Sequence, residues 1–97
     1  MNTLHVLSHS PFGDSRLDSC LRLLGPDDAI LLTGDAVYAL TPGTAPWARL
    51  REANVWPQAL QEDVHARALC PPSEVQLLDY PGFVELTLAY DKVNSWL

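Results

Sequence analysis

Thiols and imidazoles are the side chains in this sequence best suited to covalent or proton-transfer chemistry, and there are only two cysteines and three histidines. A reactive thiol needs exposure and a nearby positive charge or helix N-terminus to lower its pKa. Cys20 instead falls with Leu17, Leu21 and Leu24 at i, i+3, i+4 and i+7, one apolar helical face, and reads as a buried small hydrophobe. Cys70 precedes Pro71 and Pro72 at a helix end. The negative end of the helix dipole there raises a thiol's pKa, so its role reads as incidental. No catalytic residue is expected, and Cys20 is the single candidate to the contrary, as a persulfide carrier.

His5, His9 and His65 show no HxxxH or Cys/His ligand spacing, so no metal is expected. His9 stands at the mouth of the first predicted strand, where a ligand or partner approaches in an α/β fold. Ser8-His9-Ser10 lacks the GxSxG elbow of a serine nucleophile. Neither GxGxxG nor a Walker pattern is present, and no cofactor is expected. Asp35 and Asp79 at strand ends are open to reading as a carboxylate pair, but cap and turn roles suit both. The residues alone therefore define no active site.

The elements that must position these groups read in alternation. Leu4 to Leu7 suits a short strand and Ser8 to Gly13 the loop leaving it; Asp14 or Ser15 caps a helix carrying the Leu17–Leu24 stripe, stopped by Gly25-Pro26. Ala29 to Leu32 is apolar without alternation, as in a strand covered on both faces. Gly34-Asp35 turns the chain into Ala36–Leu40, and Thr41-Pro42-Gly43 is a turn. Trp47 to Glu52 suits a short helix. Val55 to Leu60 suits a third strand, although Pro57 lacks a ladder donor. Gln61 to Leu69 suits a helix with Val64, Ala68 and Leu60 inward. Val75 to Leu78 suits a fourth strand, and a last helix aligns Phe83, Leu86, Tyr90 and Val93. The order β-α-β-(α)-β-α-β-α predicts an α/β fold, a small mostly parallel sheet with helices on both faces. Its crevice lies beyond the strand ends, which deliver Ser8 to Ser10, Gly34 and Asp35, Leu60 and Gln61, and Asp79 and Tyr80.

At 97 residues the sequence amounts to one domain, residues 1–97, with 47% apolar residues. So short a chain has a thin stability margin and an apolar content that leaves residue to spare for a partner surface. The net charge is −6, and the six basic residues are scattered, so neither nucleic acid nor an anionic membrane is an expected direct partner. The longest apolar run, Ala36 to Leu40, is far too short to span a bilayer, and the first residues lack a signal-peptide pattern. A cytoplasmic location with both thiols reduced follows as the expectation.

Leu4-His5, Ser10-Pro11-Phe12, Gly34-Asp35-Ala36-Val37-Tyr38-Ala39, Glu62-Asp63-Val64-His65-Ala66-Arg67, Asp79-Tyr80, Gly82-Phe83-Val84-Glu85-Leu86-Thr87 and Trp96, in that order and spacing, resemble the TusB/DsrH family nearly end to end. The resemblance implies a DsrE/DsrF/DsrH-like fold and a place in a heterohexamer, two copies each of three related subunits. It implies TusC/DsrF-like and TusD/DsrE-like partners and a downstream TusE/DsrC-like carrier. The output is persulfide transfer toward 2-thiolation of the tRNA wobble uridine, or, in the Dsr version, dissimilatory sulfur oxidation.

The sulfur-carrying cysteine of such complexes belongs to the TusD/DsrE-like subunit, at the start of the helix after the third strand. Aligned on Arg67, that place here holds Leu60 or Gln61, neither able to carry a persulfide. DsrH-like members can carry a cysteine in the first helix, which keeps a sulfurtransferase using Cys20 as an alternative. A generic ligand-binding domain is another. Ala68 departs from the Gly usual after the Arg, which costs little inside a helix, and Pro57 departs from the pattern in the third strand.

Overall fold

The structure, a computed structural model, describes residues 2–96. Five strands form one sheet in the order β4-β3-β2-β1-β5, every neighbouring pair parallel. They are β1 Thr3–Leu7, β2 Ala29–Leu32, β3 Gln58–Leu60, β4 Gln76–Leu78 and β5 Lys92–Trp96. The helices between them are α1 Arg16–Leu23, α2 Ala45–Glu52, α3 Gln61–Ala66 and α4 Tyr80–Ala89, with a 3-10 helix over Gly34–Leu40. The expected α/β architecture is present, with the sheet parallel throughout.

Strand order dictates which face each helix covers. From β1 to β4 each connection steps to the next strand in one direction, so right-handed crossovers place α1, the 3-10 helix, α2 and α3 on a single face. The connection from β4 to β5 runs back across the whole sheet, and the same handedness sends α4 over the opposite face. The reversal lies between β1 and β5.

On the first face, Leu7 of β1, Ile30 and Leu32 of β2 and Ala59 of β3 meet Leu17 and Cys20 of α1, Val37 and Leu40 of the 3-10 helix, Leu50 of α2 and Val64 of α3 in one buried cluster. The helical stripe read at Leu17 and Cys20 is buried, and Leu21 and Leu24 pack partly buried against it. Ser15 is the N-cap of α1 but makes no side-chain cap bond; Asp14, one residue earlier, accepts the Arg16 N–H through Oδ1 at 2.8 Å.

Several element boundaries differ from the sequence expectation. The third strand begins at Gln58, because residues 53–55 close α2: Asn54 is left-handed (φ 56°) and the Val55 N–H returns to the Leu50 carbonyl. Pro57 is fully buried just ahead of the strand, where its missing donor costs no ladder bond. The helix expected to reach Leu69 ends at Ala66. Ala68 has φ 54° and is exposed rather than inward; its N–H bonds to the His65 carbonyl and that of Leu69 to the Val64 carbonyl, a left-handed C-terminal cap. The position is therefore one where glycine is free of strain, not a helix interior where alanine is favoured.

The largest correction is at the end of the chain. The last helix stops at Ala89, and Val93, expected on its stripe, lies in β5 beside Leu4 of β1. Asn2 and Asp91 fasten the start of this pairing: the Asn2 N–H bonds to Asp91 Oδ2 at 3.2 Å and the Asp91 N–H to Asn2 Oδ1 at 2.9 Å.

Candidate functional site

Where the first strand exits, Gly34 passes so near the Ser8 carbonyl oxygen that an added Cβ would stand 3.2 Å from it, and its φ is +51°. Both facts call for glycine. The Gly34 N–H donates to Asp63 Oδ2 of α3 at 2.8 Å. Arg67 donates to Asp35 Oδ1 through Nε at 3.1 Å and Nη2 at 2.8 Å, donates to the Asp63 carbonyl, and lies 5.8 Å from the Tyr38 ring centroid. The Gly34-Asp35 and Asp63–Arg67 segments thus lock the 3-10 helix onto α3. They build the rim of the strand-end crevice and leave Asp35 committed to Arg67.

Asp79 is committed too, as the N-cap of α4: its Oδ1 accepts the Gly82 N–H at 2.8 Å. Cap and ion-pair roles therefore hold both aspartates. Behind the rim the crevice is filled. Between Leu7, His9, Pro11, Leu17, Leu32 and Ala36 the remaining void is about 10 Å³, at the lower limit for one water.

At the step from β3 to α3, Leu60 is buried at 3% exposure and Gln61 is exposed. The backbone here has the strand-to-helix form, but the side chains are an alkyl group and an amide. Cys20 has no exposed surface, and burial, assisted by the negative charge of Asp28, pushes its thiol up to about 12. At neutral pH a thiol so placed supplies almost no thiolate. Cys70 is exposed beyond α3. The two sulfurs occupy different environments and neither lies in the strand-end crevice.

The histidines are dispersed: His9 is exposed at the β1 exit, His65 is exposed on α3, and His5 is buried within β1. Among the described residues no three His, Cys, Asp or Glu side chains are grouped to hold a metal ion. No helix among them is long and apolar enough to cross a membrane.

His5 is the one buried polar residue among those described, and it has two partners that sequence reasoning did not connect to it. The Trp96 indole Nε1–H donates to His5 Nδ1 at 3.0 Å. Indole nitrogen is a donor only, so the ring proton of His5 belongs on Nε2, which faces Asp28 Oδ2 at 3.4 Å. Asp28 also accepts the Gly25 and Thr3 N–H groups, both at 2.9 Å, and these bonds hold its carboxyl below the usual range. Chemically this is a fastening, with both imidazole nitrogens engaged. Its signal in the sequence was the pairing of positions 91 residues apart, invisible to local periodicity. Two wider clefts, about 390 and 450 Å³, open at this amino-terminal end of the sheet and share Asp28 as a lining residue.

Comparisons with known proteins agree with this geometry. A family model described as DsrH like protein matches residues 9–93. The chain is similar to Protein TusB of Enterobacter sp. (strain 638), 34% identical over 96% of this chain and 99% of that protein. It is similar to Protein TusB of Escherichia coli (strain K12), at 36%, and of Salmonella paratyphi B, at 37%, each with the same coverage. Among solved structures, the ychN protein from E. coli superposes with a TM-score of 0.74 over 99% of this chain and 100% of that one; at 22% identity this speaks to the fold alone.

Proposed function

Because the chain belongs to the DsrH-like protein family, we propose that it serves as a non-catalytic subunit of a heterohexameric TusBCD-type sulfur relay. The complex passes persulfide sulfur toward 2-thiolation of the tRNA wobble uridine in the cytoplasm. Its partners are TusC/DsrF-like and TusD/DsrE-like subunits, and the assembled complex delivers to a TusE/DsrC-like carrier. The names of the relatives favour the tRNA branch over dissimilatory sulfur oxidation.

The observation that carries the non-catalytic reading is the state of the thiols. The helix start that would present a sulfur carries Leu60 and Gln61, and Cys20 is sealed in the core with its thiol pushed up to about 12. A persulfide carrier's thiolate must attack the outer sulfur of a donor persulfide, releasing the donor thiolate, and its own outer sulfur must then be attacked by the acceptor thiolate, so its sulfur must be reachable. The chain instead offers surface, and its contribution is to complete an assembly whose chemistry sits elsewhere.

Co-expression with the two sister subunits tests this. Size exclusion with light scattering is expected to show one complex with the three chains in equal amounts. A chain that remains a stable monomer with both sisters present contradicts the reading.

A further inference from the structure

Strand β5 lies at the sheet edge, and the bonds at its two ends differ in chemistry. At its start, Asn2 and Asp91 exchange backbone-to-side-chain bonds. At its far end the partner is an imidazole. Lys92 to Ser95 are exposed, and Trp96 is half-buried against the core cluster. In the parallel register His5 stands beside Asn94 and Leu7 beside Trp96, so the indole reaches back two positions to the His5 ring. Its Nε1–H donates to Nδ1 at 3.0 Å, with the ring centroids 6.1 Å apart. That bond needs a lone pair on Nδ1, which the neutral ring protonated on Nε2 provides.

A further proton on the ring enters at Nδ1. An imidazolium donates at both nitrogens and accepts at neither, so two N–H groups would face each other across 3.0 Å, and no ring rotation restores an acceptor. The other nitrogen gains what this one loses. Nε2 faces Asp28 Oδ2 at 3.4 Å, and the Thr3 and Gly25 N–H groups hold that carboxylate in place to receive a cation. The remaining charges around His5 are few. Lys92 of β5 lines the same cleft and opposes a cation there, and β2 carries no charged residue. On α1, the Cys20 thiol is pushed up to about 12 by burial and Asp28 and stays neutral. The charged residues of that helix are engaged or exposed: Arg16 with Asp14, Asp18 with Arg49, Arg22 toward solvent. The cleft, about 450 Å³ and lined by His5 and Asp28, admits water to the ring. Histidine is the side chain that takes up a proton in the ordinary cellular pH range. We propose that His5 is a proton-operated latch: protonation turns its contact with Asp28 into an ion pair, expels the Trp96 indole and loosens the carboxyl end of β5 from β1. Trp96 is the group that yields, because His5 is buried within β1 and Asp28 is tied by two backbone bonds, whereas β5 is an edge strand with no buried residue. The proton comes from solvent and returns to it, and only hydrogen bonds change. The latch needs no partner chain, so it is independent of the relay reading.

The test is a nuclear magnetic resonance titration of the intact nitrogen-15-labelled chain from about pH 8 to about pH 5, following the indole N–H signals and the imidazole nitrogens. The Trp96 signal is the one lost in Trp96→Phe, and Trp47 and Trp56, which contact each other, are internal references. As the His5 nitrogens report the cation, the Trp96 indole is expected to move to the position of a free indole with the same midpoint. Protection of the β5 amides from exchange should fall about fivefold or more relative to those of β3, the loss of one hydrogen bond. Trp96→Phe should show the lower β5 protection already at the alkaline end and change no further as His5 titrates. Asp28→Asn removes the ion pair and should move the transition to lower pH by about one unit. Two results overturn the latch. One is a His5 ring that stays neutral throughout the folded range. The other is a Trp96 indole that stays protected while His5 titrates, held by its ring face against the cation. A transition unmoved in Asp28→Asn overturns the ion pair as its driving contact.

Discussion

The two faces of the sheet are covered by very different means. On the first, α1, the 3-10 helix, α2 and α3 enclose a cluster in which Cys20, Val37, Leu50 and Val64 have no exposed surface. On the second, Leu4 and Leu31 are buried, but α4 and the strand that follows it bury none of their own residues. The first face is a finished interior; the second is a lid with an apolar outside. What the contrast teaches is that the buried residues that fix stability gather on one side of the five-stranded sheet, while the other side leaves apolar side chains in the open. The motif segments at Gly34–Asp35 and Asp63–Arg67 serve the first side, and the apolar run of α4 serves the second.

The sharpest way to break that comparison is a matched pair of truncations. Leu50→Ala, at a site with no exposed surface, is expected to cost about 2–5 kcal/mol. Leu88→Ala should fall within about 0.5 kcal/mol in the isolated chain. Urea denaturation measures both, and equal losses would show that α4 is part of the interior.

The fastening of β5 comes next. Trp96→Phe removes the donor to His5 Nδ1 and is expected to cost about 1–3 kcal/mol, because it leaves a buried acceptor without a partner. Amide exchange should rise in β5 and β1 and not in β3, sharpening the view of β5 as held at its two ends.

Asp28 ties that fastening to the first face and gives it an acid limit. Its carboxyl lies below the ordinary 3.8, held there by the Gly25 and then the Thr3 N–H groups. A depressed carboxyl contributes stability that is present above the unfolded value and lost as pH falls through the folded one. Wild-type stability should therefore decline below about pH 4, and Asp28→Asn should flatten that decline. An unchanged acid limb in the variant would contradict the assignment.

The smallest effect is a gain. Ala68 holds φ 54° at the end of α3, where glycine carries no Cβ penalty. Ala68→Gly is expected to raise stability by about 0.5–1 kcal/mol after glycine's own entropy cost, visible as a shift in thermal midpoint. A loss on the same substitution would mean the alanine is helical after all.

The sequence carried most of the first face because its signals are local. The i, i+3, i+4 and i+7 spacing around Cys20 and the apolar Ala29–Leu32 run each state their own burial. The second face depends on long-range pairing. Lys92 to Trp96 shows no strand alternation, and it forms β5 because the open edge of β1 takes a parallel partner across the chain. Helical periodicity therefore ran on through Val93. Cap chemistry misled in the same way: Asn54 and Ala68 are left-handed at helix ends, a backbone state that neither residue announces as glycine would. In the candidate site, the burial of Cys20 was legible, whereas the Trp96–His5–Asp28 chain was not, since no local pattern joins its members.

The central claim is that this chain takes part in sulfur transfer without carrying sulfur. Thiouridine formation by the reconstituted complex, at matched complex concentration, tests it with Cys20→Ser and Cys70→Ser each in turn. Both variants are expected to retain transfer, and any Cys20→Ser deficit should track weaker folding, because it places a hydroxyl in an apolar site. Replacing the active cysteine of the TusD-like subunit should abolish it. A drop of about tenfold or more for Cys20→Ser, equivalent to about 1.4 kcal/mol in the barrier, with assembly and melting unchanged, would make this chain a carrier and contradict the account.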